Sequence, residues 1–166
     1  MSDQFYSIEK VLTVLSETPQ RIAALAEGTS AVQLRTPPKP DEWSANEVLA
    51  HLRACADVWG GYIHRILTED HPKFRALSPR TYIRKTNYTE VEFQPSLDAF
   101  TAQRAELLAV LEALSPASWQ RAATVTNSSG KVLENNVIHY ANSMASHEWD
   151  HIEQIEDTLN KVRTQQ

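Results

Sequence analysis

Glycine and cysteine are scarce in this chain of 166 residues, which contains four glycines and one cysteine. So few glycines argue against a phosphate-binding loop, a Rossmann turn or an all-β fold rich in tight turns. The single cysteine, Cys55, has no partner for an internal disulfide, and we expect a cytoplasmic protein. Apolar runs are only a few residues long and the first ten residues lack an apolar stretch, so we expect neither a membrane span nor a secretory signal.

An excess of basic charge is also missing. Sixteen Lys and Arg against 21 Asp and Glu give a formal net charge of −5, which argues against a dedicated nucleic-acid surface. One stretch departs from this balance, because residues 71–89 contain basic side chains and no acidic one. We interpret this basic segment as a solvated connector or as a rim that attracts an anionic ligand. Its basic residues are Lys73, Arg75, Arg80, Arg84 and Lys85.

Apolar residues recur at spacings of three and four along most of the chain, which is typical of amphipathic helices. A chain of this length predicts one domain, here residues 1–166. Three or four long helices around one core predict an all-α, up-down four-helix bundle with long connections. The predicted helices cover about 5–16 with a restart at Thr18-Pro19 that runs to 27, and then about 44–67, 95–115 and 132–159.

Between the helices, the sequence predicts mostly irregular structure. Three prolines make residues 34–42 an extended loop. Residues 121–126 favour a short strand, for which the sequence offers no obvious partner. The second long helix has the clearest start signal, because Ser44 with Glu47 three residues later predicts a capping box.

The six histidines separate into two groups when they are placed on helical wheels. His51 flanks the apolar stripe of the second long helix, while His147 and His151 flank that of the last helix. His147 and His151 are four residues apart and are therefore neighbours on one side of their helix. The other three are predicted to lie away from the core: His64, His71 and His139.

Three imidazoles beside a bundle core have two interpretations, one of which is a metal site made of His51, His147 and His151. A buried imidazole tends to lose its proton, and the neutral ring is the form that binds metals. Two histidines at i and i+4 can address one ion, and a third from a facing helix leaves a coordination position open for water or substrate. Both Zn²⁺ and Ni²⁺ accept imidazole, so the residue types do not choose between them. Histidines that are merely hydrogen-bonded at a core boundary are the alternative interpretation.

Residues 147–151 also fit HExxH, the zinc-protease pattern in which the glutamate is the general base. The glycine and third histidine of a metzincin are absent downstream, and no sheet edge is evident to hold a peptide, so a metallopeptidase is the weaker alternative. Glu148 faces near the apolar centre of its helix, an unusual place for a carboxylate. Glu148 is a candidate catalytic residue with three possible roles. It would hydrogen-bond to the metal ligands, act as a weak base, or be an acid paired with Arg104 or Tyr62.

Several stretches together resemble the DinB-like four-helix bundle superfamily, whose members tend to show a Trp-Ser cap before a Glu-x-x-x-His-Leu helix. The resemblance covers nearly the whole chain. It implies a divalent metal, Zn or Ni, held by His51, His147 and His151, with its open coordination facing a pocket at one end of the bundle. The matching segments are 18–22, 43–52, Phe100-x-x-x-Arg104-x-x-Leu107-Leu108 and His147-x-x-x-His151-x-x-Gln154-Ile155.

The resemblance also implies a class of function. Characterised relatives are S-transferases and isomerases that use low-molecular-weight thiols such as bacillithiol or mycothiol, others are assigned as metal-dependent hydrolases, and homodimers are common. We therefore expect a metal-dependent enzyme, a thiol S-transferase or a hydrolase, acting on a small electrophilic substrate without nucleic-acid or membrane partners. A non-enzymatic metal- or ligand-binding stress-response protein and a purely structural bundle are the alternatives.

Four further side chains receive structural interpretations. Cys55 lies on an apolar stripe and is expected to be packing and not a nucleophile. Tyr62 and Tyr140 are on the histidine side of their helices, where they line either the core or the pocket. Trp149 lies off the apolar centre of the last helix, so we expect it to be partly exposed, at a dimer contact.

Overall fold

The computed structural model describes residues 5–165, and four long helices dominate it. Together with the long connections between these helices, this confirms the predicted all-α class. The elements in chain order are α1 (Ile8–Ala26), α2 (Ala31–Arg35), α3 (Ala45–Thr68), β1 (Lys73–Arg75), α4 (Pro79–Tyr82), a 3-10 turn (Ile83–Lys85), α5 (Phe93–Glu112), α6 (Pro116–Trp119), β2 (Ala122–Thr126), β3 (Val132–Asn136) and α7 (Val137–Thr164).

The four long helices form the predicted bundle around one core. Helix α7 packs along both α1 and α3, and α5 closes the ring against the same two helices. The consecutive helices α1 and α3 therefore face each other across the bundle. Apolar side chains from all four fill the space between them, and the most completely buried include Leu15, Ile22, Leu49, Leu52, Phe100, Leu111, Met144, Ile155 and Leu159.

The predicted helix restart at Thr18-Pro19 is wrong, because α1 runs without interruption through Pro19. A proline inside a helix has no N–H to donate to the carbonyl four residues earlier, here that of Leu15. In this structure Arg104 Nη1 donates to the Leu15 oxygen at 2.9 Å instead. The Thr18 hydroxyl donates to the Val14 carbonyl at 2.8 Å, so the turn before the proline has its own local contact.

The predicted strand near 121–126 is confirmed as β2, but the expectation that it lacks a partner is wrong. β1 pairs with β2 in parallel and β3 pairs with it antiparallel, giving the order β1-β2-β3. Ala123 and Val125 of β2 are buried against the bundle, which explains why this small sheet forms. The basic segment is therefore not only a connector, since it contributes β1 and the short helix α4.

Several predicted helix boundaries also shift, and two of the shifts have a clear local cause. The last helix begins at Val137 and not at 132, because residues 132–136 pair with β2 and the Asn136 side chain accepts a hydrogen bond from the His139 N–H. The third long helix begins at Phe93 and not at Pro95, because a proline in the first turn removes no intrahelical hydrogen bond.

The expected extended loop at 34–42 is shortened by α2, which covers Ala31–Arg35 and begins with its own capping box. Within the described residues, no helix has the length and apolar character needed to cross a membrane.

The capping box at the start of α3 generates a prediction about stability. The Ser44 hydroxyl accepts from the Glu47 N–H at 3.2 Å, and Glu47 Oε2 accepts from the Ser44 N–H at 2.8 Å. Ser44→Ala leaves a helix-end N–H without its partner, so we expect a loss of about 1 kcal/mol in the free energy of unfolding, measured by urea denaturation. Ser16→Ala is the matched control, because Ser16 lies inside α1 and caps nothing. Equal stability of the two variants would contradict the capping argument.

Candidate metal centre

His51 is placed by the start of α3. The capping box fixes the first turn of the helix, and two turns later the His51 side chain is 7 % exposed. The ring of Trp43, just before the cap, lies 5.1 Å from the His51 ring. The sequence that starts the helix therefore also packs one face of this imidazole.

His147 and His151 come from the middle of α7, the helix that packs along α3. Their spacing of four residues places them on one side of the helix, with ring centres 4.3 Å apart in an edge-to-face arrangement. The His51 ring lies 5.1 Å from His147 and 4.9 Å from His151. The structure thus brings together all three residues that the sequence predicted as ligands.

The three rings present the same nitrogen to a common point. His147 Nε2 lies 3.3 Å from His51 Nε2 and 3.0 Å from His151 Nε2, and one ligand atom from each of the three lies within 4.8 Å of the others. Two imidazole nitrogens bound to one tetrahedral zinc at normal bond lengths are about 3.3 Å apart. The cluster is therefore able to hold a divalent ion with little movement, and we refer to it as the histidine triad.

Burial keeps the triad neutral. Burial, followed by the charges of His151 and Arg80, lowers the pKa of His51 to about 4. Burial and the two neighbouring rings lower the pKa of His147 to about 3. Burial also lowers the pKa of His151, against the opposing effect of its hydrogen bond to Gln154. Near neutral pH the three rings are therefore neutral imidazoles, which is the state that a metal requires.

One hydrogen bond at the far side of the rings, made by His151, supports the same arrangement. His151 Nδ1 lies 2.7 Å from Gln154 Oε1, and because an amide oxygen only accepts, Nδ1 carries the proton and Nε2 offers its lone pair. His147 Nδ1 is buried without a hydrogen-bond partner among the described residues. Because His151 Nε2 carries no proton, it presents a lone pair to the other two Nε2 atoms. A cation at the centre of the three nitrogens would accept a lone pair from each of them. The residues present therefore fit a divalent metal.

Glu148, between the two α7 histidines, belongs to a buried ion pair. Its Oε2 accepts from Arg104 Nη1 at 2.9 Å, and its Oε1 accepts from Arg104 Nη2. Both side chains are almost fully buried, at 3 % and 2 % exposure. Of the partners considered for Glu148, the structure pairs it with Arg104 and not with Tyr62. Because Arg104 also bonds to Leu15, this contact links α1, α5 and α7 directly behind the triad.

Cys55 lies one turn after His51, and its Sγ is 3.5 Å from His51 Nε2. It is not part of the set of mutually close ligand atoms formed by the three histidines. Burial, with the charge of Glu148, raises the pKa of the Cys55 thiol to about 12. The thiol is therefore protonated, which fits its predicted packing role.

The remaining sequence candidates lie away from the triad. His64 and His139 are exposed on their helices, as predicted, and His71 in its loop pairs with Glu134 of β3. Tyr62 stacks on Phe74 of β1.

Tyr140 lies 5.1 Å from the Tyr62 ring. Both tyrosines therefore pack between the bundle and the sheet. Trp149 is half-buried, with the guanidinium of Arg21 4.5 Å from its ring, and the dimer contact expected there stays a prediction.

Two cavities open beside the triad, and their lining includes residues that sequence reasoning did not single out. One, of about 480 Å³, is lined by Trp43, Arg80, His151 and Gln154 among others. The second, of about 240 Å³, is lined by Trp43, Arg80 and His51 together with Glu47. The i, i+3 spacing of His151 and Gln154 in the sequence indicates that the two side chains are neighbours on one helix. The position of Arg80 follows only from the folded path of the basic segment.

A bundle of four long helices with three neutral histidines converging between two of them defines a four-helix protein with a candidate divalent-metal centre. The model of the DinB superfamily matches residues 15–155. The chain therefore belongs to the DinB superfamily, as its motifs predicted.

Among solved structures, YfiT from Bacillus subtilis is similar to this chain. The two share 18 % sequence identity with a TM-score of 0.76, over 97 % of this chain and 91 % of YfiT. YfiT is presented as a probable metal-dependent hydrolase with an unusual four-helix bundle topology. At this identity the likeness shows a shared fold. No functionally curated protein matches the chain.

The ion pair behind the triad generates a stability prediction. We expect Arg104→Met to lower the free energy of unfolding by about 3 to 5 kcal/mol, because the Glu148 carboxylate is left buried without a partner. Urea denaturation measures this loss. The double variant Arg104→Met with Glu148→Leu should regain much of it, since no buried charge is then left unpaired.

The exposed Arg65–Glu69 pair on α3 supplies the control for this prediction. Arg65→Met should cost far less than Arg104→Met, because solvent screens that pair. An Arg104→Met variant as stable as Arg65→Met would contradict the structural role of the buried pair.

Proposed function

We propose that His51, His147 and His151 hold one divalent metal ion and that the protein is a metal-dependent enzyme acting on a small molecule. The observation that carries the proposal is the convergence of three neutral Nε2 atoms at 3.0 and 3.3 Å. Membership of the DinB superfamily supports it. Zn²⁺ and Ni²⁺ are the proposed ions, since both accept imidazole ligands.

The surroundings of the triad favour a small substrate. The adjoining cavities of about 480 and 240 Å³ suit a molecule of metabolite size. Three neutral ligands leave the full charge of a divalent ion uncompensated, so the fourth ligand is best an anion. The metal would supply a lowered pKa for a bound thiol or water, which makes a thiolate or hydroxide available as nucleophile.

Each residue of the triad region has a defined task in this proposal. Gln154 keeps the His151 proton on Nδ1, so that Nε2 is free to bind. Trp43 packs against His51, and Trp59 lies edge-on to His147 at 5.1 Å, which limits rotation of both rings. We assign Glu148 the role of a positioning residue that anchors α7 through Arg104.

That assignment bears on the HExxH alternative. In a zinc protease of this pattern the glutamate acts as base on the metal-bound water. Here both carboxylate oxygens of Glu148 accept hydrogen bonds from one buried guanidinium, so neither oxygen is directed at the triad to act as a base. We therefore place a low-molecular-weight thiol, or water in a hydrolase, ahead of a peptide substrate.

Metal content tests the ligand assignment. Protein purified without a histidine tag is expected to bind about one Zn²⁺ or Ni²⁺ per chain, measured by elemental analysis after dialysis. His51→Ala, His147→Ala and His151→Ala should each weaken binding by at least about 100-fold, because each removes a ligand nitrogen. His64→Ala and His139→Ala are matched controls, since both histidines are exposed and outside the triad. Full metal content in the three triad variants would refute the site.

Turnover separates an enzyme from a binder. We expect the zinc- or nickel-loaded protein to accelerate consumption of a low-molecular-weight thiol in the presence of a small electrophile, or hydrolysis of an activated ester or amide. His147→Ala should abolish the acceleration, while His64→Ala should leave it unchanged. Stoichiometric metal without any acceleration would favour the non-enzymatic stress-response binder.

A further inference from the structure

The basic segment reaches the triad through one residue, Arg80. Helix α4 begins with Pro79 at its first position and packs against α3. This places Arg80 in the lining of both cavities that adjoin the histidines, one with His151 and the other with His51. Arg84, one turn further along the same segment, is exposed like Arg80 but lines neither cavity.

The Arg80 guanidinium has no carboxylate partner among the described residues. Its contact is with an aromatic face, because its Cζ lies 5.6 Å from the centre of the Trp43 ring. Trp43 in turn packs against His51 at 5.1 Å. An arginine held over a tryptophan keeps its planar fork of donors available for another ligand.

The cavity linings also contain four acidic side chains, Asp41, Glu42, Glu47 and Asp157. Lys161 lies 2.7 Å from Asp157 and 3.9 Å from Glu42. Glu47 accepts the Ser44 N–H in the capping box. Asp41, which also lines the larger cavity, is exposed to solvent and forms no ion pair within the described part of the chain. Within the described residues, none of these carboxylates pairs with Arg80, so its donors remain open to a carboxylate of an incoming ligand.

We infer that Arg80 is a specificity-determining residue that binds a carboxylate of the substrate while another group of the same molecule occupies the open metal position. This inference rests on the proposed function and adds the substrate class, a small molecule with a carboxylate close to its reacting group. The guanidinium offers two parallel N–H donors that match a carboxylate. Arg80 and His51 both contact the Trp43 ring, so the two ends of such a ligand are held within one site.

Two small thiols test the inference, 3-mercaptopropionate with a carboxylate and 2-mercaptoethanol with a neutral hydroxyl. Their dissociation constants for the zinc-loaded protein are measured by isothermal titration calorimetry. We expect Arg80→Gln to weaken binding of 3-mercaptopropionate by about 10-fold or more, because a charge-assisted pair is lost. Binding of 2-mercaptoethanol should stay within about 2-fold, since it makes no such pair.

Matched variants sharpen the comparison. Arg84→Gln removes the same charge from the same segment outside the cavities and should leave both constants unchanged. Arg80→Lys keeps the charge without the fork and should restore part of the lost affinity for 3-mercaptopropionate. An equal loss for both thiols, no loss for either, or the same loss in Arg84→Gln would overturn the inference.

Zinc uptake is measured first, on the wild type and on each variant, and again after the titration. A wild-type chain that takes up no zinc overturns the proposed function and the inference with it. If the wild type and the variants take up zinc normally but Arg80→Gln binds the two thiols with the same preference as the wild type, only the inference is overturned.

Discussion

The buried contact between Arg104 and Glu148 is the interaction on which the site depends. One guanidinium binds both oxygens of the carboxylate and also the Leu15 carbonyl, so it joins α5, α7 and α1 inside the core. Glu148 is the residue directly after His147, and anchoring its side chain inward fixes the rotation of α7 about its axis. That rotation decides whether His147 and His151 face α3 or turn toward solvent.

The same contact explains how α1 tolerates a proline in its interior. Pro19 leaves the Leu15 carbonyl without a helical donor, and a buried carbonyl without a partner is costly. Arg104 supplies the missing donor at 2.9 Å. The carbonyl that Pro19 leaves free in α1 thus binds the same arginine whose ion pair orients α7. Two features that would each destabilise a core, an interior proline and a buried charge, satisfy each other.

The arrangement of helices around the ring sets where chemistry can occur. Because α7 packs along α3, the triad lies between these two neighbouring helices, with His147 and His151 on α7 and His51 on α3. Trp43 lies directly before the start of α3, and α4 places Arg80 in the lining of the two cavities that Trp43 also lines. The proposed site combines neutral histidines, an unpaired guanidinium and a buried Cys55 thiol. Under the proposed function, its nucleophile would arrive with the substrate.

The amino-acid sequence alone determined the bundle, the face of each histidine and the start of α3. Helical periodicity and the Ser44–Glu47 box are local patterns, and three imidazoles on two apolar flanks follow from spacing along each helix. The tertiary structure decided what depends on contacts between distant segments. The continuity of α1 through Pro19 needed Arg104 from 85 positions further along, and the strand at Ala122–Thr126 needed partners on both sides. The selection of Arg80 from five basic residues needed the path of α4, because exposed charges carry no periodic signal that says which one meets a site.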